Sequence, residues 1–155
     1  MFDFLSLAGS ADTKASNFLA TEAKPFIDGL KLKGKAGIYA LYEISGDTLD
    51  AVYVGRTRNL AQRFRAHITP NHNSASFALK RTRHIHEMFA TYSATNRRQD
   101  IAGNEPTRST FLAEIAKIRS MQFRFFLESD PINQYLVELA LTMKLNLPLD
   151  GFDSH

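Results

Sequence analysis

The chain contains no cysteine. That excludes a disulfide framework, thiolate zinc sites and a cysteine nucleophile, and it fits a reducing compartment. No apolar run approaches the roughly 18 residues needed to span a bilayer. The first ten residues are apolar but carry Asp3 in place of a basic leader, so they do not read as a signal peptide. These absences together lead us to expect a soluble, cytoplasmic protein with no membrane partner. There is no internal repeat, no low-complexity tract, and no zinc-finger or helix-turn-helix pattern. At 155 residues, 44% hydrophobic and 23% charged, the chain is an ordinary single-domain length with an average composition, long enough to bury a core.

Charge is scarce overall but unevenly placed. The formal net charge is +3. Between Ala51 and Gln99, nine Lys/Arg (Arg56, Arg58, Arg63, Arg65, Lys80, Arg81, Arg83, Arg97 and Arg98) face one acid, Glu87. That stretch carries +8, leaving −5 elsewhere. His67, His72, His84 and His86, four of the five histidines, fall in the same stretch. A basic block on a near-neutral chain suits a polyanion such as nucleic acid, or a solvated helical face.

The pattern along the chain predicts a helix over 11–31 that Pro25 can divide. A β-hairpin follows, with strands 36–44 and 49–54 around the turn-forming Ser45-Gly46-Asp47-Thr48; Gly55 is expected to end its second strand. Asn59 is a candidate N-cap for a helix bearing Leu60, Phe64 and Ile68, with Arg63 and His67 four apart on the neighbouring face. Pro70 stops that helix. A longer helix over 74–94 presents Ala78, Ile85, Phe89 and Tyr92. Residues 95–106 are polar and read as a loop, and 107–120 as a helix. Alternation over 121–128 predicts a third strand. Asp130-Pro131 is a capped helix start. The helix to about Leu145 is apolar on nearly every side and should be mostly buried. Glu138 in its middle then needs positive compensation, from a cation or from an arginine.

The expected fold is therefore α/β in the α+β sense: a small three-stranded antiparallel sheet flanked by helices. An N-terminal helical extension, 1–35, precedes the domain proper, 36–155.

Three groups of residues could carry chemistry. Tyr39 and Tyr53 lie on paired strands, which can bring two hydroxyls to one place. Arg63 and His67 share a helix face, and an arginine fork grips phosphate through two hydrogen bonds. Glu138 is an isolated acid able to hold a divalent metal through oxygen. Singly, each has an ordinary structural explanation: a packed strand tyrosine, a solvated arginine, a helix-end histidine, a carboxylate paired with an arginine. In order, however, Gly37-Ile38-Tyr39, Tyr53-Val54-Gly55, Arg63 and His67 resemble the GIY-YIG endonuclease family. The resemblance covers about 36–155. The segment His72-Asn73-Ser74-Ala75-Ser76-Phe77 and the ending from Leu147 to His155 are similar to one branch of uncharacterised members. Thirteen residues separate Tyr39 from Tyr53, slightly more than is usual. Asp150 falls where many members place an asparagine that helps at the phosphate.

The resemblance implies a metal-dependent endonuclease acting on nucleic acid, DNA first, with Mg2+ or Mn2+. Tyr39, Tyr53, Arg63, His67 and Glu138 would be catalytic and Glu138 the metal ligand. It implies Tyr39 as the base that deprotonates water, with a hydroxyl shifted down from its usual pKa near 10; His67 remains an alternative for that proton. Tyr53 would orient the water and Arg63 would neutralise transition-state charge. Arg56, Arg58, His72, Lys80, Arg81 and Arg83 are candidates for contacting the nucleic acid. The alternative is a catalytically impaired nucleic-acid-binding module on the same scaffold, which Asp150 favours. Strandedness, specificity, biological role and oligomeric state are not written in the residues.

Overall fold

The computed structural model describes residues 3–88 and 96–149. Phe89, Tyr92 and Asp150 lie outside the described residues. The chain divides into two compact units, one of residues 1–61 and 121–155 and one of residues 62–120.

The first unit is built on a four-stranded sheet. Its strands are β1 (Lys24–Pro25), β2 (Gly37–Ser45), β3 (Thr48–Thr57) and β4 (Gln122–Leu127), in the order β1-β4-β2-β3, with every neighbouring pair antiparallel. The expected three strands are β2, β3 and β4. The fourth, β1, is only two residues long. It sits at the sheet edge, where the missing N–H of Pro25 is tolerated. The hairpin turns through Gly46, whose φ of 60° lies in the left-handed region that glycine enters freely. Thr48 Oγ1 donates to Ser45 O at 2.8 Å across that turn. β3 does not stop at Gly55 but runs on to Thr57, pairing Arg56 with Ile38 and Thr57 with Gly37.

Helix α1 (Phe4–Leu19) starts earlier and ends sooner than expected. It is capped by Asp3, whose side chain accepts from Leu5 N at 3.1 Å. A 3₁₀ turn, Phe26–Lys31, follows β1. Pro25 thus separates two helical pieces with a strand between them. Helix α6 (Pro131–Lys144) opens on the predicted Asp130 cap, which accepts from Ile132 N at 3.2 Å. It closes in a Schellman arrangement: Asn146, at φ 59°, donates to Met143 O, and Leu147 donates to Thr142 O.

One face of the sheet is covered by α1 and α6. Ala11, Ala15 and Phe18 of α1 and Val137 and Leu141 of α6 pack with Ile38, Ala40, Tyr42 and Val54. The N-terminal segment expected as an extension is thus part of this core. Helix α6, expected to be mostly buried, is buried along one stripe and open on the opposite side. Ile132, Tyr135 and Met143 are exposed, while Gln134, Glu138 and Thr142 are buried with Val137 and Leu141. One stripe is enough to cover the sheet, and three of its five positions are polar.

The second unit takes in most of α2 (Leu60–His67) and holds α3 (Ser76–Ile85), α4 (Arg98–Gly103) and α5 (Thr107–Arg119). The helix expected over 74–94 is shorter: α3 ends at Ile85, His86 caps it, and Glu87 turns away at φ 55°. The polar stretch expected as a loop contains α4, whose start is held by Asp100 Oδ2 accepting from Arg97 N at 3.2 Å and Arg97 Nε at 3.1 Å; its buried Ile101 and Ala102 supply the apolar side. Glu114 is buried, yet Arg81 Nε lies 2.7 Å and Lys117 Nζ 3.1 Å from its oxygens. Burial pushes this carboxyl up; the two cations more than offset that and hold it below the ordinary range.

Gly37 occupies the centre of the sheet, between β3 and β4. A Cβ there would collide with the backbone carbonyl of Phe126. Backbone cannot rotate away as a side chain can. Gly37→Ala should therefore destabilise the protein by about 2 kcal/mol or more, read as a lower urea midpoint.

Candidate active site

The alternation of the strands assigns residues to faces. Ile38, Ala40, Val54 and Arg56 point to the face covered by α1 and α6. Tyr39, Tyr53 and Gly55 point to the other. In the register, Tyr39 is opposite Gly55, and Tyr53 is opposite Leu41. The two tyrosine rings are 5.8 Å apart between centroids and tilted by 35°. Gly55 makes this possible. A Cβ on it would come within 2.8 Å of Tyr39 Cζ, Tyr39 Oη and Tyr53 Cε1. The glycine after Tyr53-Val54 is thus the gap into which the Tyr39 phenol fits. Tyr39 is fully buried, whereas Tyr53 is half-buried.

Glu138 comes from the helix on the opposite face. Its carboxylate is buried (1%), and its Oε2 lies 2.8 Å from Arg56 Nε. The contact is an ion pair without an aligned hydrogen bond. Arg56 also lies over the Tyr135 ring, with Cζ 5.3 Å from the centroid. Gln134, one turn before Glu138, donates to the carbonyls of Thr57 and Glu128. The end of β3 and the middle of α6 are therefore joined by polar contacts. Because β3 is the outermost strand, Gly55 and Arg56 put the tyrosine face and the glutamate face one residue apart at an edge. Sequence reasoning placed Arg56 on nucleic acid; in the structure it answers the demand of Glu138 for a positive partner. The signal was the parity of Val54 and Arg56, which turns both toward α6.

Arg63 and His67 sit one turn apart on α2, as expected. His67 is buried, with its ring edge-on to Phe64 and to Phe77 at centroid distances of 6.4 and 6.2 Å. Burial, and secondarily the Arg63 guanidinium, push its pKa down to about 3. The imidazole is therefore neutral at physiological pH. It can accept a proton in principle but offers no positive charge to a phosphate.

The remaining basic candidates divide. Arg58 and Lys80 are exposed. Arg81 is held by Glu114 and lies over the Phe77 ring, and Arg83 donates to Asn96 O. The carbonyl of half-buried His72 accepts from Arg98, whose Nη2 also donates to Ser76 Oγ at 2.9 Å.

The donor chemistry here is all oxygen. Among the described residues no cluster of three or more His, Cys, Asp or Glu could by itself enclose a metal. A single carboxylate suits Mg2+ or Mn2+, whose shells are completed by water and substrate phosphate. It does not suit zinc, which takes three or four protein ligands.

The hairpin and the helix bearing Arg63 both lie within the segment that a comparison with known families matches. The family model described as the GIY-YIG catalytic domain matches residues 35–115, just over half of the chain. The chain belongs to the GIY-YIG family. Members of this family are generally nucleases, so a nucleic acid is the substrate class. The match includes Tyr39, Tyr53, Arg63 and His67 and ends before β4 and α6, so the placement of Glu138 rests on its surroundings. No curated protein and no solved structure matches the chain. Among the described residues no helix is long and apolar enough to cross a membrane.

The neutral, buried His67 makes stability depend on pH. Its folded pKa, about 3, lies below the unfolded value of 6.5. Between the two, the unfolded chain binds the extra proton. The stabilisation is complete above about 6.5 and is lost as pH falls toward 3, by roughly 1.4 kcal/mol per unit. Going from pH 7 to pH 5 should lower the unfolding free energy by about 2 kcal/mol, and His67→Phe should flatten that dependence in urea titrations.

Proposed function

We propose that this protein is a divalent-metal-dependent endonuclease that hydrolyses phosphodiester bonds, with DNA the preferred substrate. The observation that carries this reading is Glu138: a carboxylate is retained in a buried position, against Arg56, beside the outer strand that bears Tyr53 and Gly55. Burying such a charge is unfavourable even when paired, and phosphodiester hydrolysis is the chemistry in which a member of this family uses one.

Glu138 would hold Mg2+ or Mn2+ through oxygen, and that ion supplies Lewis-acid stabilisation for the charge on the departing 3′-oxygen. Tyr39 and Tyr53 provide two phenolic oxygens at one place, fixed by Gly55. Tyr53, the more accessible, orients the attacking water. Tyr39 is the family's base and must accept the proton at Oη. Arg63 is read from the family motif as the guanidinium that neutralises charge on the phosphate. Arg58 and Lys80, both exposed, would make contacts along the backbone of the nucleic acid.

A second reading, a nucleic-acid-binding module without cleavage, draws on two observations: Tyr39 is fully buried, and Glu138 is engaged by Arg56. Supercoiled plasmid, single-stranded DNA and RNA incubated with Mg2+, Mn2+ or EDTA separate the two. The nuclease reading expects nicked and linear plasmid with metal and none with EDTA. It also expects Glu138→Gln to lose at least about two orders of magnitude in rate. A folded protein that binds all three substrates and cuts none would establish the binding module instead.

A further inference from the structure

Glu138 and Arg56 form the one contact here that the proposed chemistry cannot leave as it stands. The carboxylate is 1% exposed and its Oε2 lies against Arg56 Nε, at 2.8 Å. The Arg56 side chain is 31% exposed and rests on Tyr135, itself exposed at the surface of α6. The carboxylate is thus sealed from the protein side and closed from the solvent side by a cation that can move. We propose that Arg56 is an exchangeable counter-ion. It occupies Glu138 in the metal-free protein, and a divalent cation binds Glu138 only by displacing it.

This inference rests on the nuclease reading and adds a residue to it. Three physical points support it. First, a buried carboxylate needs a cation at all times. If the metal were its sole partner, the metal-free protein would carry an uncompensated buried charge, and Arg56 removes that difficulty. Second, among the described residues no cluster of three or more His, Cys, Asp or Glu could enclose the ion, so the protein does not offer the metal a full cage and a guanidinium at Glu138 competes with it directly. Third, the exchange is open on the solvent side. The guanidinium has only to leave one oxygen and the Tyr135 ring, and once free it has the planar fork that binds phosphate. A structural ion pair alone would make Arg56 a stabilising residue with no bearing on metal affinity.

The test is Mn2+ binding by the whole protein without nucleic acid, followed by electron paramagnetic resonance of the free ion. Wild type, Glu138→Gln, Arg56→Gln, Tyr135→Ala and the double variant Arg56→Gln/Glu138→Gln are compared. Exchange predicts at least tenfold tighter Mn2+ binding in Arg56→Gln and a larger rise in its unfolding temperature on adding Mn2+. The gain should vanish in the double variant. Tyr135→Ala removes only an exposed ring and should still fold; loosening the guanidinium, it should bind Mn2+ severalfold tighter. That arm decides the matter should Arg56→Gln not fold. Equal or weaker Mn2+ binding in the Arg56 and Tyr135 variants, with binding still dependent on Glu138, overturns the exchange and leaves the metal role standing. Mn2+ binding indifferent to Glu138 in every variant overturns both.

Discussion

A buried negative charge is the constraint around which the first unit is arranged. Glu138 sits in the stripe of α6 that faces the sheet, where a leucine would satisfy packing more simply. Its position requires a cation within a few ångströms, and the strand beside it supplies one, Arg56. Arg56 reaches it because β3 continues past Gly55 to Thr57. That continuation in turn requires Gly37 and Gly55 to lack side chains, one for the passage of β4 and the other for the Tyr39 ring. The ion pair, the length of β3 and the two glycines are thus parts of one arrangement. Its outcome places Tyr39 and Tyr53 on one face of the sheet and Glu138 on the other, with Gly55 and Arg56, neighbours in the outer strand, turned one to each.

The two buried carboxylates show how differently such charges can be used. Glu114 has two cations, Arg81 and Lys117, whose hydrogen bonds and charge hold it ionised. That is a closed structural solution, with the partners on its own and a neighbouring helix. Glu138 faces Arg56, whose Nε is not aligned for a hydrogen bond and whose side chain is partly open to solvent. An ion pair without an aligned hydrogen bond is the easier one to exchange. Arg81 and Arg83 are engaged within their unit, by Glu114 and by the carbonyl of Asn96.

The hairpin, β4 and the start of α6 were legible because each depends on local signals: alternation, a glycine-containing turn, and an aspartate before a proline. The family motif was legible because its residues fall on that hairpin and the helix after it. What escaped depends on tertiary contact. The two-residue β1 exists only because β4 offers it an edge, and no periodicity can mark so short an element. Helix α4 was hidden by polar residues whose capping does the work of hydrophobic periodicity. The exposure of Ile132, Tyr135 and Met143 could not be told from an all-round apolar helix, since burial depends on how many faces find a partner. The need of Glu138 for a cation was readable; that Arg56 meets it followed only from the register that turns Arg56 toward α6.

The central claim is that Arg56 and Glu138 act as one unit in the metal-free protein. A double-mutant cycle measures this most directly, with urea unfolding of wild type, Arg56→Gln, Glu138→Gln and the double variant in EDTA. The account predicts a favourable coupling of about 1.5 kcal/mol or more, because either single change leaves a charge in the pair without its partner. Additive effects within about 0.5 kcal/mol would contradict it: the two side chains would then be neighbours without being partners, and the compensation of the buried carboxylate would have to come from elsewhere.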